Sequence, residues 1–353
     1  MMHADRLSFR IPEPCGNSLA AIWFRSTVLA VAVILAIVLS PLQDARAEVD
    51  EIRLARPFGI AFLQMGLMDH LQLIQKHAEK AGIELEVEWR RFSSGTAMNE
   101  ALISGNLDVA SGSPTAFSVI WDKTGGRYVG LSAMTSMPAV LMTRRKDINS
   151  VRDLNDSDRI AVVGRSALQS VVLRMFAAKE YGDDNYQKLD HFTVIVPHNE
   201  AMSSLLSGKG EVTGHFTAAP FYQHETAAGM HRALDSYEVF GGSHTYGMIW
   251  VAQKFVDDNP KVAQVLLGAV AEATEYINKD PQGAAQAYID SANSKLKLDF
   301  VEAILRDPKN VFTMTPENIM KYHTFMRHIG MVKRKADSWK DMFSPTLHHL
   351  PGS

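Results

Sequence analysis

Apolar and polar positions alternate in short runs that switch between a period of two and a period near 3.6. Glu51-Ile52-Arg53-Leu54-Ala55-Arg56-Pro57 alternates as a strand and ends in Phe58-Gly59. Residues 63–81 carry the helical period and stop at Gly82, a residue suited to the left-handed position after a helix. Residues 83–89 read as a second strand with one polar face, and 96–103 as a helix ended by Gly105. A short strand, 107–110, then runs into Ser111-Gly112-Ser113-Pro114-Thr115. Pro114 lacks an amide hydrogen and so suits the first turn of a helix over 115–123. Strand, helix, strand, helix at this spacing predicts an α/β sheet with parallel crossovers.

The alternation then begins again. Strands are expected at 128–134, 139–144, 159–164, 192–196 and 211–216, with helices at 166–181 and 200–206 and a turn at 150–155. Leu102-Ile103-Ser104-Gly105-x-x-Asp108-Val109 recurs as Leu205-Leu206-Ser207-Gly208-x-x-Glu211-Val212. In each copy a helix stops at glycine, an acid starts a strand, and the strand delivers a hydroxyl residue and a proline: Ser113-Pro114, then Thr217-Ala218-Ala219-Pro220. Such an internal repeat predicts two related lobes. After Gly241-Gly242, residues 245–252 read as a strand and the rest as helices over 260–278, 281–292, 298–306 and 316–329. Asn259-Pro260, Asp280-Pro281 and Thr315-Pro316 pair an N-cap residue with proline at the first helical position. The last dozen residues read as a loose tail.

The N-terminus follows neither period. Arg25 precedes the apolar run TVLAVAVILAIVL at 27–39, Pro41 breaks it, and Ala45-Arg46-Ala47 has the small-x-small form that signal peptidase reads. The run falls short of the roughly 20 residues that span a bilayer. Residues 1–47 are therefore read as a signal peptide cleaved after Ala47, with a soluble periplasmic protein beginning near Glu48. The single cysteine, Cys15, lies upstream of the cut. Residues 48–353 hold no cysteine, which excludes disulfides, thiolate metal sites and cysteine nucleophiles from them. A net charge of -3 gives no reason to expect nucleic acid or an anionic membrane as partner.

At Glu100-Ala101-Leu102-Ile103-Ser104-Gly105-Asn106-Leu107-Asp108-Val109-Ala110 the chain resembles the periplasmic substrate-binding proteins of ABC importers for nitrate, taurine and alkanesulfonates, the NitT/TauT type. The stretches 139–145, Ser150-Val151-Arg152-Asp153-Leu154, 159–176, the second LxSGxxE turn and 250–260 extend the resemblance over nearly all of residues 48–353. It implies a type II periplasmic binding protein fold of the α/β class: two lobes with parallel-rich sheets, two crossover strands and a cleft that closes on ligand. Lobe 1 is expected from 48–138 and 245–353, lobe 2 from 139–244. The crossovers fall near 139–145 and 242–248, with Gly241, Gly242 and Gly247 as sources of hinge freedom.

In open α/β sheets ligands lie beyond the C-terminal ends of the strands. That rule selects Phe58 and Gly59, Ser94 and Thr96, Ser113 and Thr115, Arg165 and Ser166, and His215 and Thr217. Several open helices, whose unpaired N–H groups favour an oxyanion, although a hydroxyl there also serves as a plain N-cap. Arg56, Arg91 and Arg165 are cationic candidates, usually solvated in such loops, and His215 is a candidate gatekeeper. Phe58, Phe216, Tyr246 and Trp250 are candidates for an apolar wall, although aromatics at strand ends more often pack in a core. The 13 histidines include no H-x-H or HExxH spacing, so no metal is expected, and the absence of GxxxxGK[ST], GxGxxG and GxSxG frames leaves no cofactor expected.

The function expected is capture of a small oxyanion (sulfonate, nitrate or carboxylate) by a monomer that delivers it to an ABC permease, without catalysis. A thiamine-precursor pyrimidine or other heteroaromatic is the alternative ligand. From other classes, a sensor module shares the architecture. The resemblance also extends to pyrimidine synthases that carry a cysteine-rich motif, which residues 48–353 lack.

Overall fold

The computed structural model describes residues 48–57, 59–92 and 95–353. The expected signal peptide, its cleavage site and Cys15 lie outside the described residues, as do Phe58 and Ser94.

Among the described residues eleven strands form two sheets. In chain order they are β1 (Glu51–Ala55), β2 (Glu86–Arg90), β3 (Val109–Gly112), β4 (Tyr128–Ser136), β5 (Val140–Thr143), β6 (Ile160–Val162), β7 (Thr193–Ile195), β8 (Gly214–Thr217), β9 (His231–Asp235), β10 (Thr245–Ala252) and β11 (Val311–Phe312). The first sheet runs β11-β4-β10-β3-β1-β2 and the second β7-β6-β8-β5-β9. Strands β3, β5 and β8 are buried throughout and β4 and β10 nearly so, because helices cover both faces; this is why they read as continuous apolar runs.

The expected parallel-rich sheets are in fact mixed. β1 pairs in parallel with β2 and β3, and β6 with β7 and β8, but β10 lies antiparallel between β3 and β4, and β5 antiparallel between β8 and β9. Both antiparallel strands follow a segment that arrives from the other sheet. The repeat is visible in this arrangement: β3 and β8 each follow a helix stopped at a positive-φ glycine (Gly105, φ 73; Gly208, φ 66). Each has a parallel neighbour on one side and an antiparallel one on the other.

The chain passes between sheets at Met137-Pro138-Ala139 and at Gly241-Gly242-Ser243-His244, so the strands expected to cross over each lie within one sheet. Gly241 and Gly242 keep positive φ at the second link. Gly247 does not act as a hinge glycine. A Cβ there would meet Ala61 O at 2.7 Å and Thr135 Oγ1 at 2.9 Å, so glycine is needed for close packing in the middle of the sheet.

Two helical expectations and one for the C-terminus are corrected. The helix over 63–81 is two helices, Leu63–His70 and Leu73–Lys80, broken where Gln72 takes left-handed φ 49. The break lets the first pack on Pro281–Ala292 and the second on Pro260–Lys279. The helix expected from Thr315-Pro316 begins at Ile319, because Glu317 is held along β10: its N–H donates to Thr245 Oγ1 (2.8 Å) and its carbonyl accepts from Thr245 N (2.9 Å). The C-terminus is no loose tail. Ser353 O accepts from Ile319 N, Ser353 N donates to Pro316 O, and Phe343 bridges to Gly130.

Asn259 precedes the helix Pro260–Lys279 without capping it through its side chain. The Glu48 carboxylate does so from a distance, accepting from Lys261 N (3.1 Å) and Val262 N (2.9 Å). A negative charge at a helix N-terminus also meets the positive end of its dipole. Glu48→Ala is expected to lower stability by about 1 kcal/mol, read as a shift in the urea midpoint at constant slope.

Candidate functional site

A cavity of ≈ 230 Å³ lies where segments from both sheets meet. Arg56, Pro57 and Gly59 reach it from the end of β1, Arg91 from the end of β2, Asn199 from beyond β7 and Phe221 from beyond β8. All are C-terminal strand ends, the places where an α/β sheet exposes backbone and helix N-termini. The end of the helix Pro281–Ala292 closes the side with Tyr288 and Ser291. A second cavity, ≈ 370 Å³, is lined by residues between Asn149 and Val239 and takes nothing from the first sheet.

Arg56 is a braced cation. Its guanidinium pairs with Asp69 and donates through Nη2 to Ser291 O at 2.9 Å, which ties the end of β1 to the helices Leu63–His70 and Pro281–Ala292. Arg91 stands exposed at the rim. Gly59 sits at φ 100, ψ 161, a conformation open essentially to glycine alone. Its Cα edge faces Ala219 O across the cleft, 3.7 Å from where a Cβ would stand. Phe62, Phe221 and Tyr288 form aromatic walls. Burial raises the Tyr288 hydroxyl to about 12, so it remains a donor.

Of the residues selected from the sequence, Gly59, Arg56 and Arg91 line this cavity. Thr96 is exposed on the helix Gly95–Ile103. Ser113 caps the helix Pro114–Lys123, accepting from Ala116 N at 3.4 Å and bonding Thr115 Oγ1 at 2.9 Å, with Thr115 fully buried. Arg165 is exposed, and Ser166 precedes the helix Leu168–Tyr181 without capping it. Phe216 and Trp250 are core, 0 % exposed. Tyr246 is also buried; its hydroxyl meets Gln169 Nε2 at 3.2 Å, a contact between β10 and the helix Leu168–Tyr181, and its ring lies 6.4 Å from Phe62.

His215, expected as a gatekeeper, lies behind the wall. Its Nδ1 is 2.6 Å from Glu225 Oε1 and its Nε2 is 2.8 Å from His198 Nδ1, with both His215 and Glu225 completely buried. Thr217 Oγ1, also buried, approaches His198 Nδ1 at 3.3 Å. The His198 ring stacks on Phe221, centroids 5.2 Å apart. Burial pushes the Glu225 carboxyl up to about 8 and both imidazoles down to about 3, His198 further depressed by its neighbour His215. All three groups are therefore neutral near pH 7.

Asn199, Phe221, Tyr288 and Ser291 were missed from the sequence. The strand-end rule, applied also to β7, selects Pro197-His198-Asn199, and Pro220-Phe221 follows the second strand-to-proline repeat. Nothing in the local pattern marks Tyr288 or Ser291, which arrive through packing of a distant helix.

Residues 59–290, well over half of the chain, match the NMT1-like family. No curated protein sequence matches the chain. Among solved structures, the alkanesulfonate-binding protein SsuA from Xanthomonas axonopodis pv. citri bound to MOPS is 15% identical, with a TM-score of 0.63 over 80% of this chain and 93% of that one. The periplasmic aliphatic sulphonate binding protein SsuA from Escherichia coli is 15% identical, TM-score 0.64, over 84% of this chain and 92% of that one. The periplasmic nitrate-binding protein NrtA from Synechocystis PCC 6803 is 14% identical, TM-score 0.64, over 83% and 84%. These neighbours are solute-binding proteins, not enzymes. The chain belongs to the NMT1-like family and has the periplasmic binding protein fold that these nitrate- and sulfonate-binding proteins share.

Proposed function

We propose that this protein captures a small oxyanion of the sulfonate, nitrate or carboxylate type between two lobes, 48–138 with 245–353 and 139–244, and delivers it to an ABC importer permease. It acts as a periplasmic monomer after removal of residues 1–47. The observation that carries this reading is a cavity at strand C-termini, walled from both sheets and flanked by Arg56 and Arg91. Ligand touching Gly59 and Arg91 on one side and Asn199 and Phe221 on the other favours the closed form over the open one, and that difference in contact is what shifts the population. A heteroaromatic ligand is the second reading, favoured by the three rings Phe62, Phe221 and Tyr288 around the cavity.

A thermal-shift panel of nitrate, methanesulfonate, taurine, small carboxylates and pyrimidines tests both. A ligand at a hundred times its Kd adds about 2.7 kcal/mol, which is several degrees for a chain of this size, at roughly 2–4 °C per kcal/mol. A shift with an oxyanion that Arg91→Ala weakens supports the first reading. A shift with pyrimidines alone replaces it with the second, and no shift with any oxyanion sinks it.

A further inference from the structure

We infer that Glu225, His215 and His198 form a proton relay that sets whether His198 Nε2, beside the cavity-lining Asn199 and Phe221, is an N–H donor, making capture of an anion depend on a proton held at Glu225. This deepens the oxyanion reading and rests on it for the ligand.

The order of the hydrogen atoms follows from the contacts. Glu225 Oε2 is buried with no partner, so a carboxylate there leaves a full lone-pair set unsatisfied, and an acid proton on that oxygen has nothing to receive it. The proton belongs on Oε1, whose 2.6 Å approach to His215 Nδ1 fits an O–H···N bond. His215 Nδ1 then accepts, so its one proton is on Nε2 and donates to His198 Nδ1 at 2.8 Å. Thr217 Oγ1, 3.3 Å from the same nitrogen, donates as well. With Nδ1 accepting, the His198 proton sits on Nε2. Passing the Glu225 proton on to His215 leaves that outward proton unchanged, because His215 then donates from both nitrogens.

His198 Nε2 makes no hydrogen bond among the described residues, and the ring is only partly buried. His198 does not itself line the cavity but adjoins two residues that do: Asn199 follows it in the chain and Phe221 stacks on it. His198 also opens the helix His198–Ser207, whose positive end disfavours an imidazolium, so the donor is a neutral N–H. Loss of the Glu225 proton reverses every bond. His215 Nδ1–H donates to the carboxylate, His198 Nδ1–H donates to His215, and Nε2 offers a lone pair in place of the N–H, with a negative charge behind it.

Of the groups that surround the relay, His224 acts on this titration directly, lowering the Glu225 carboxyl against the larger effect of burial. The helix Phe221–Ala227 carries Tyr222, held neutral with its hydroxyl raised to about 12, and His224; the helix His198–Ser207 adds Glu200; β5 and β6 carry no ionisable side chain; Arg56 and Arg91 stand across the cavity.

The test is made on the full chain, with His198 signals assigned by difference from His198→Gln. Nitrogen-15 imidazole spectra are expected to show His198 neutral with its proton on Nε2 at pH 6.5, moving to Nδ1 with a midpoint near 8. In Glu225→Gln, which has no proton to lose, the spectrum should not change between pH 6.5 and 9.5. Calorimetric titration with nitrate and methanesulfonate, neither of which titrates there, should give a Kd that rises about tenfold per pH unit above the midpoint. The same Kd should stay flat in Glu225→Gln. A proton on His198 Nδ1 at pH 6.5, or a midpoint that survives Glu225→Gln, overturns the relay. A Kd for the wild type that ignores pH overturns its coupling to ligand. The expected tautomers with neither anion binding at any pH would uphold the relay and overturn the oxyanion reading alone.

Discussion

Trp250→Ala is expected to lower stability by about 3–5 kcal/mol, the range for removing a large aromatic ring from a core. Trp250 is 0 % exposed in β10, the strand that joins β3 to β4. Its ring packs against Phe117 with centroids 5.9 Å apart, and a Cβ on Gly112 would come within 3.0 Å of it, so the neighbouring strand has been cut back to admit the indole. Its Nε1–H donates to Asn99 Oδ1 at 3.2 Å, and truncation leaves that buried oxygen without a donor. Thermal unfolding should therefore fall by on the order of 10 °C, at about 2–4 °C per kcal/mol. Because the ring is not part of the cavity lining, any ligand identified in the panel should still bind the folded fraction with wild-type affinity. A loss below 1 kcal/mol would mean that the first sheet tolerates a hole at its centre and that this account of β10 is wrong.

The same residue shows what local pattern conveys and what it omits. Trp250 lies in the stretch 245–252, whose strand was legible residue for residue, because a buried strand needs an unbroken apolar run and a glycine only where another backbone presses close. Whether its ring faces cavity or core depends on Phe117 and Asn99, far away in the chain, which is why the local pattern alone admits it as a wall candidate. His215 was misplaced for a similar reason. The strand-end rule located β8 correctly but could not tell that Glu225, ten residues on, turns back to take the imidazole inward. The helix caps divide along the same line. Ser113, which caps its own helix, was legible, whereas Glu48 caps a helix more than two hundred residues away, and Thr315 loses its helix because Glu317 pairs with Thr245. Short-range hydrogen bonds leave a signature in sequence. Those closed by tertiary packing do not.

The buried relay should also shape how stability depends on pH. Glu225, raised to about 8 from an ordinary 4.5, makes the native state hold one proton more than the unfolded chain between those values. Stability from this group falls as pH rises through that window, by about 1.4 kcal/mol per unit. His198 and His215, lowered to about 3 from 6.5, act in the opposite direction: the unfolded chain takes up two protons that the native state refuses, so stability falls as pH drops below 6.5. Between 4.5 and 6.5 two histidines outweigh one carboxyl, and above 6.5 the carboxyl acts alone, which places the maximum near pH 6.5. From there to pH 8 the loss should be about 2 kcal/mol and should level off beyond the Glu225 midpoint. The acid limb is shared with His244, also lowered by burial, to about 4, so the alkaline limb is the diagnostic one. Urea unfolding of wild type and Glu225→Gln at pH 6.5 and 8.5 separates it. The wild type should lose stability over that interval and the amide variant should not. Equal losses in both would show that Glu225 ionises as an ordinary carboxylate, leaving the neutral chain of acid and imidazoles without its source of protons.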